Sequence, residues 1–340
     1  MQTRYFLLIS IAVAAAVFFA ARWVNNDYLF FAGYTVLQFV VLATAWNILG
    51  GYTGYVNFGS AAFFAAGAYS TVFLHKFHPL PIPALIVIGG IVSGILGLGT
   101  GYLTLRLRGA FFAIATLALA VVLQTVIVNW NYVGGARGAY IVRPGELAVP
   151  AWLSPLWDTV REPLSRLFAL FGMSMNPVSY IHYLFFLMLA LAVIALMTAR
   201  WIERSELGYG FATIRDDEVA AEASGVPTLR LKLIATTLSG AFMGMAGAPF
   251  PYYIGYLQPA SAFGLEYAVN SIAMPMIGGT LTWVGPLIGA ILLGTLQQVA
   301  TVTISSAVNL LIVGLLLVGF VIIAPNGIVG LVQQLRARMK

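Results

Sequence analysis

Runs of apolar residues long enough to cross a lipid bilayer recur along nearly the whole chain, and they leave few folds open to it. A helix rising about 1.5 Å per residue needs roughly 20 such residues to span the hydrocarbon core. Apolar runs fall at 5–21, 28–49, 58–74, 82–105, 109–129, 178–199, 233–256, 262–281, 285–304 and 308–324. The expected fold is therefore all-α and integral to the membrane, with about ten transmembrane helices in a single domain over 1–340. The run at 262–281 is the weakest, because it carries Glu266, Asn270, Ser271 and Pro275. With 61% hydrophobic and only 8% charged residues, the chain is far more apolar than a water-soluble domain.

The few charges orient these spans. Placing Arg200–Lys232 in the cytoplasm and letting the spans alternate also brings Arg4, Arg106, Arg108, Arg336, Arg338 and Lys340 inside, so that both termini are cytoplasmic. The net charge of +6 is thus read as a topology signal in short connections, and no nucleic-acid partner is expected. Residues 1–21 have a second reading, a signal peptide with Ala20 or Ala21 near the cleavage site, but a thin positive start and an inside N-terminus favour a retained first span. There are no cysteines, which removes disulfides, thiolate metal sites and a thiol nucleophile.

Two connections are long. The extracytoplasmic segment 130–177 is rich in Trp, Pro and Gly, with an apolar stretch at Leu164–Phe171 that predicts a short helix on the membrane surface. The cytoplasmic segment 200–232 holds five basic and six acidic residues, a near-neutral mixture unlike a basic tract that faces lipid.

Gly90 and Gly94, Gly97 and Gly101, Gly240 and Gly244, and Gly285 and Gly289 share a spacing that lets helix backbones approach closely in lipid. Gly50-Gly51 and Gly278-Gly279 each follow a descending span and precede a Gly- and Ala-rich one, a faint internal echo. The polar stretch Gly50 to Gly59 reads as a broken helix, and irregular backbone at membrane depth persists only where protein or a water-filled cavity satisfies it. An ordinary cytoplasmic turn is the plainer alternative. Among polar residues within spans, Glu266 and Asn270 lie one helical turn apart and predict one polar stripe, unless Glu266 sits at the outer interface in water. The histidines, His75, His78 and His182, have no carboxylates framing them as metal ligands, so no metal site is expected. No Gly-Lys-Ser/Thr phosphate loop is present, so any nucleotide hydrolysis belongs on another chain.

The stretch Leu207-Gly208-Tyr209-Gly210-Phe211-Ala212-Thr213-Ile214-Arg215-Asp216-Asp217-Glu218 continues through Val219-Ala220-Ala221-Glu222-Ala223 to Gly225 and Pro227. It predicts a short helix with small residues at 219–223, stopped at Gly225. Such a helix suits either a solvated loop or docking into a groove of a soluble protein.

Read together with four other segments, this stretch resembles the permeases of the branched-chain amino acid ABC transporter family, of the LivM type. The other segments are Gly51-Tyr52-Thr53-Gly54 through Tyr69, Arg108-Gly109-Ala110-Phe111-Phe112 through Ala118, Gly134-Gly135-Ala136-Arg137-Gly138, and Ile277-Gly278-Gly279 through Trp283-Val284-Gly285-Pro286 to Ala290. Any one alone is weak; five in order are specific. Departures from the family pattern are Pro249 and Pro251, which predict a kink in the seventh span, and Asn270, where many relatives carry Glu.

The resemblance implies a type II-like importer fold in a bacterial inner membrane and no enzyme activity in this chain. It also implies a homologous second permease subunit, a periplasmic solute-binding protein, and two cytoplasmic ATPase subunits that carry ATP and Mg, so that this chain binds no cofactor. By position, Arg215, Asp216, Glu218, Ala221, Glu222 and Gly225 belong to the ATPase-coupling stretch, and Gly134, Gly135 and Arg137 to a binding-protein contact. Asn57, Gly59, Thr116, Gln124, Glu266 and Asn270 are the candidates for the translocation path. Branched-chain or other amino acids are the expected cargo. Urea, amides and other small organic solutes are the alternative, and a gradient-driven stand-alone transporter is a rival class.

Overall fold

The computed structural model describes residues 27–78, 80–104, 107, 109–141 and 180–303, together with 311, 314, 315, 318, 319, 322 and 327–331. Its elements in chain order begin with α1 (Asp27–Thr53), α2 (Ser60–Phe77), α3 (Ile82–Thr104) and α4 (Ala110–Val128). Two 3-10 turns, Asn131–Val133 and Gly135–Arg137, lead into β1 (Ala139–Tyr140). Then come α5 (Tyr180–Glu203), α6 (Glu206–Asp216), α7 (Glu218–Ala223), α8 (Thr228–Gly247), α9 (Phe250–Ile254) and β2 (Tyr256–Leu257). The series ends with α10 (Pro259–Ala262), α11 (Leu265–Gly278) and α12 (Val284–Thr303).

Among the described residues, six stretches are long and apolar enough to cross a membrane: Tyr28–Thr53, Ile82–Thr104, Ala110–Val128, Tyr180–Glu203, Thr228–Ile254 and Val284–Thr303. The chain is a multi-pass membrane protein, but the expected ten spans are not all present at this standard. The run at 58–74 forms α2, whose 18 residues end in His75, Lys76 and Phe77 and are less apolar than a free-standing span. The run at 262–281 contributes only the 14 residues of α11, too short to cross alone. The run at 5–21 lies outside the described residues, as do most of 308–324 and the surface helix predicted at Leu164–Phe171.

Helix α1 is the axis of the bundle. It is apolar on every side, and residues 38–49 are buried without interruption, the pattern of a helix enclosed by others. Helices α5, α8, α11 and α12 pack directly against it, and α2 and α3 close the bundle through α8. Helix α4 is the opposite case, since only Phe112 and Thr116 of its 19 residues are buried.

What lets α2, α3 and α8 pack is the absence of side chains where they cross. A Cβ added at Gly67 on α2 would lie 2.0 Å from the Gly244 carbonyl oxygen on α8, and one at Gly244 would lie 2.2 Å from the Ser93 Cβ on α3. Hydrocarbon offers no hydrophobic drive for helix association, so such backbone contact supplies much of the attraction through close packing. Ser93 adds a hydrogen bond from its hydroxyl to the Phe63 carbonyl of α2 at 2.9 Å.

The kink expected from Pro249 and Pro251 is an interruption at Pro249: α8 ends at Gly247, and a two-residue turn at Ala248 and Pro249 precedes α9. Pro249 has no N–H to continue the helix, whereas Pro251 sits in the first turn of α9, where none is needed. Beyond it, β2 pairs antiparallel with β1, Ala139 opposite Leu257 and Tyr140 opposite Tyr256. This short ladder fastens the segment after α4 to the end of the bundle opposite the charged connection 204–227.

Replacing Gly67 by Leu is expected to destabilise the protein by about 1–3 kcal/mol through overpacking. A lowered thermal midpoint in detergent reads this out. Gly99→Ala, at a site with no atom within 4 Å of the added Cβ, is the control expected to leave the midpoint in place.

Candidate coupling segment and translocation path

The connection between α5 and α8 is almost wholly helical. Helix α6 buries Phe211 and Ile214 and packs on α1, α5 and α8. The chain then breaks at Asp217, whose extended backbone frees its carboxylate to accept the N–H groups of Val219 at 2.9 Å and Ala220 at 3.1 Å. Asp217 is therefore the N-cap of α7. Gly225, with φ of +84°, stops it: the Gly225 N–H reaches the Glu222 carbonyl at 3.0 Å and the Val226 N–H the Ala221 carbonyl at 3.0 Å. The helix expected over this stretch is thus two helices with a corner at Asp217.

The residues proposed from sequence divide between two faces. Asp216, Glu222 and Gly225 are exposed, as are Val219, Ala220 and Ala223, whereas Ala221 is buried and turned toward the bundle. Arg215 pairs with Asp216 at 3.1 Å, a surface ion pair that contributes little. Glu222 accepts the Thr228 hydroxyl at 2.9 Å and so ties α7 to the first residue of α8.

Glu218 has a different role from the surface residue expected. Its side chain is 12% exposed and meets the Lys232 ammonium, itself 4% exposed, at 2.6 Å. Its other carboxylate oxygen accepts the Tyr55 hydroxyl. Lys232 also donates to the Tyr55 oxygen at 3.3 Å and lies 4.9 Å from the centre of the Tyr55 ring. Neither Lys232 nor Tyr55 was marked by the sequence, where the available signal was a second cation, after Arg230, one turn inside an otherwise uncharged helix. Removing either charge alone strands the other in a low-dielectric site, at a cost of about 3–5 kcal/mol.

Tyr55 belongs to the stretch expected as a broken helix. The break is real but later than its glycines indicated: α1 runs through Gly50 and Gly51 to Thr53, and only 54–59 is irregular. Gly54 begins it with φ of +78°, and a Cβ there would stand 3.2 Å from the Arg215 Cγ. The exposed polar groups of this backbone are met by side chains. The Trp46 indole N–H donates to the Asn57 carbonyl at 2.8 Å, Asn57 Oδ1 accepts the Gly59 N–H at 2.8 Å, and the Thr116 hydroxyl oxygen accepts the Phe58 N–H at 3.2 Å. Asn57, Gly59 and Thr116 are thereby brought together.

The remaining path candidates lie apart. Gln124 is half-buried on α4. Glu266, in the first turn of α11, is exposed, while Asn270 is buried, so the two form no continuous stripe. Asn270 instead exchanges amide hydrogen bonds with Gln297 of α12, whose Nε2 donates to Asn270 Oδ1 at 2.9 Å. At the inner end of that hairpin the Trp283 N–H donates to Glu203 at 2.7 Å, and Arg200 stacks over the Trp283 ring. Gly51, of the first glycine pair, approaches the residue after the second pair there, since a Cβ on it would lie 2.7 Å from the Thr280 oxygen. Of the outer candidates, Gly135 is buried, Gly134 is half-buried and takes φ of +103°, and Arg137 is exposed while its carbonyl accepts the Tyr256 hydroxyl.

Asp217→Ala is expected to cost about 1 kcal/mol by removing the N-cap. Hydrogen–deuterium exchange should show faster exchange at the amides of 218–223, with α8 unchanged.

No solved structure matches this chain. The chain is 28% identical over 295 residues to the high-affinity branched-chain amino acid transport system permease protein LivM of Salmonella typhimurium, covering 85% of this chain and 67% of that protein. The Escherichia coli LivM is 27% identical over the same length and coverage. The autoinducer 2 import system permease protein LsrC of Klebsiella pneumoniae is 25% identical over 223 residues, 64% of this chain and 59% of that protein. A family profile described as branched-chain amino acid transport system / permease component matches residues 27–321, and the chain belongs to that family.

Proposed function

We propose that this chain is one of two permease subunits of an ATP-driven importer in a bacterial inner membrane. The other parts are a homologous permease, two cytoplasmic ATPase subunits that bind ATP and Mg, and a periplasmic solute-binding protein. The observation that carries the reading is the outward face of α7. A six-residue helix presenting Val219, Ala220 and Ala223 beside Glu222 to the aqueous side has an apolar, small-residue surface with no partner in its own bundle among the described residues. Such a surface fits the groove of a soluble subunit better than bulk water.

Closure of the ATPases would move α6 and α7 and reorient the permease pair, exposing the path to each side in turn. Asn57, Gly59 and Thr116 stand at its inner end, with Gln124 and Asn270 deeper. Arg137 and the turns at Gly134 and Gly135 would meet the loaded binding protein at the opposite end.

Branched-chain amino acids are the cargo we favour, because the LivM proteins align over more of this chain than LsrC does. The LsrC similarity supports the second reading, a different small organic solute such as urea or an amide. A gradient-driven stand-alone transporter finds less support, since Glu266 is exposed and its neighbour on the helix is a neutral, amide-paired Asn270.

Single cysteines at Ala220 and Ala223 should crosslink to co-expressed ATPase subunits in the intact complex, whereas one at buried Ala221 should not. Absence of a crosslink from both exposed positions would overturn the docking assignment. In proteoliposomes holding the whole importer, leucine uptake should require both ATP and the binding protein, and uptake by this chain alone would instead establish the stand-alone class.

A further inference from the structure

Helix α7 has little apolar hold on the rest of the chain, since Ala221 is its one buried residue. Its attachment therefore rests on polar contacts, Glu222 to Thr228 and Glu218 to Lys232 and Tyr55. The second of these is buried, and a charge pair in a low-dielectric surround resists separation far more than one in water.

The contacts continue. The Tyr55 ring meets the edge of the Phe112 ring at 5.1 Å, and three residues along the same irregular stretch the Phe58 N–H bonds Thr116. Phe112 and Thr116 are the two buried residues of α4. The same short segment thus holds α4 to the bundle and α7 to the bundle.

We propose that Glu218, Lys232 and Tyr55 are positioning residues forming a mechanical link, by which displacement of α7 is passed through the 54–59 break to α4. The inference rests on the importer reading above. Without the link, α7 would move with its docked partner while α4 stayed behind, and ATP would be hydrolysed without opening the path.

The test uses the whole importer in lipid nanodiscs, spin-labelled on exposed Ser224 at the end of α7 and exposed Val121 of α4. Pulsed electron resonance then measures the separation of each label from a fixed label on the exposed periphery, without nucleotide and after trapping with ATP and vanadate. In the unaltered complex both labels shift on trapping. In Glu218→Gln the α7 shift is expected to persist while the α4 shift is halved or lost, and the charge-swapped double variant Glu218→Lys with Lys232→Glu should recover part of it, a coupling read as a double-mutant cycle.

Tyr55→Phe keeps the ring and the ion pair and removes one hydroxyl, so it carries the test if the charge variants fail to assemble; its α4 shift should also fall. A full α4 shift in an assembled Glu218→Gln or Tyr55→Phe complex overturns the link. A failure of the importer reading looks different, because the unaltered chain would then neither co-purify with ATPases nor respond to vanadate trapping.

Discussion

Hydrocarbon gives helices no hydrophobic drive toward one another, so this bundle depends on how closely its members approach. Gly67, Gly244 and the Ser93 turn bring α2, α3 and α8 to backbone distance. At the other flank Gly289 and the Met274 carbonyl do the same for the α11–α12 hairpin, where an added Cβ would lie 1.8 Å from that oxygen. These contacts are short-ranged and shape-specific, so they fix helix positions more sharply than apolar burial between lipid-like side chains. The enclosed α1 then has a rigid sleeve around it.

A rigid sleeve makes its interruptions informative. The bundle is interrupted at 54–59, at Ala248 and Pro249, and at the turn after Gly278, and in each case the exposed polar backbone is either bonded by a neighbouring group or reduced. Trp46 and Thr116 serve the first, Pro249 removes a donor outright in the second, and Glu203 binds Trp283 in the third. Two of the three lie at the same end of the bundle as the charged connection, which is where a cytoplasmic machine would apply force.

Much of this was legible in the sequence because it is written locally. The apolar runs, the glycine spacing, the stop at Gly225 and the break at Pro249 each depend on neighbours within a turn or two. The family likeness could be read from five ordered segments for the same reason. What escaped was pairing over distance. Glu218 read as a surface charge because nothing nearby says that Lys232 and Tyr55 close over it, and Asn270 read with Glu266 because the helical period links them while its true partner, Gln297, lies on another helix. Gly50 and Gly51 suggested an early break, yet their missing side chains serve contact with Asn47, Trp46 and Thr280 inside a continuous helix. The runs at 58–74 and 262–281 form α2 and α11, which are less apolar or shorter than the six long spans, and both pack against neighbouring helices.

The small ladder between β1 and β2 has a consequence for α4. That helix is pinned at its far end by the ladder, by the Lys76 hydrogen bond to the Tyr132 carbonyl at 2.8 Å and by Phe73 packing on Trp130 and Tyr132. At its near end its buried residues, among those described, are Phe112 and Thr116. With 19 residues it is roughly 28 Å long. A rod fastened at one end and touched at the other turns instead of sliding, so a small push at its inner tip changes an angle while the outer rim keeps its place.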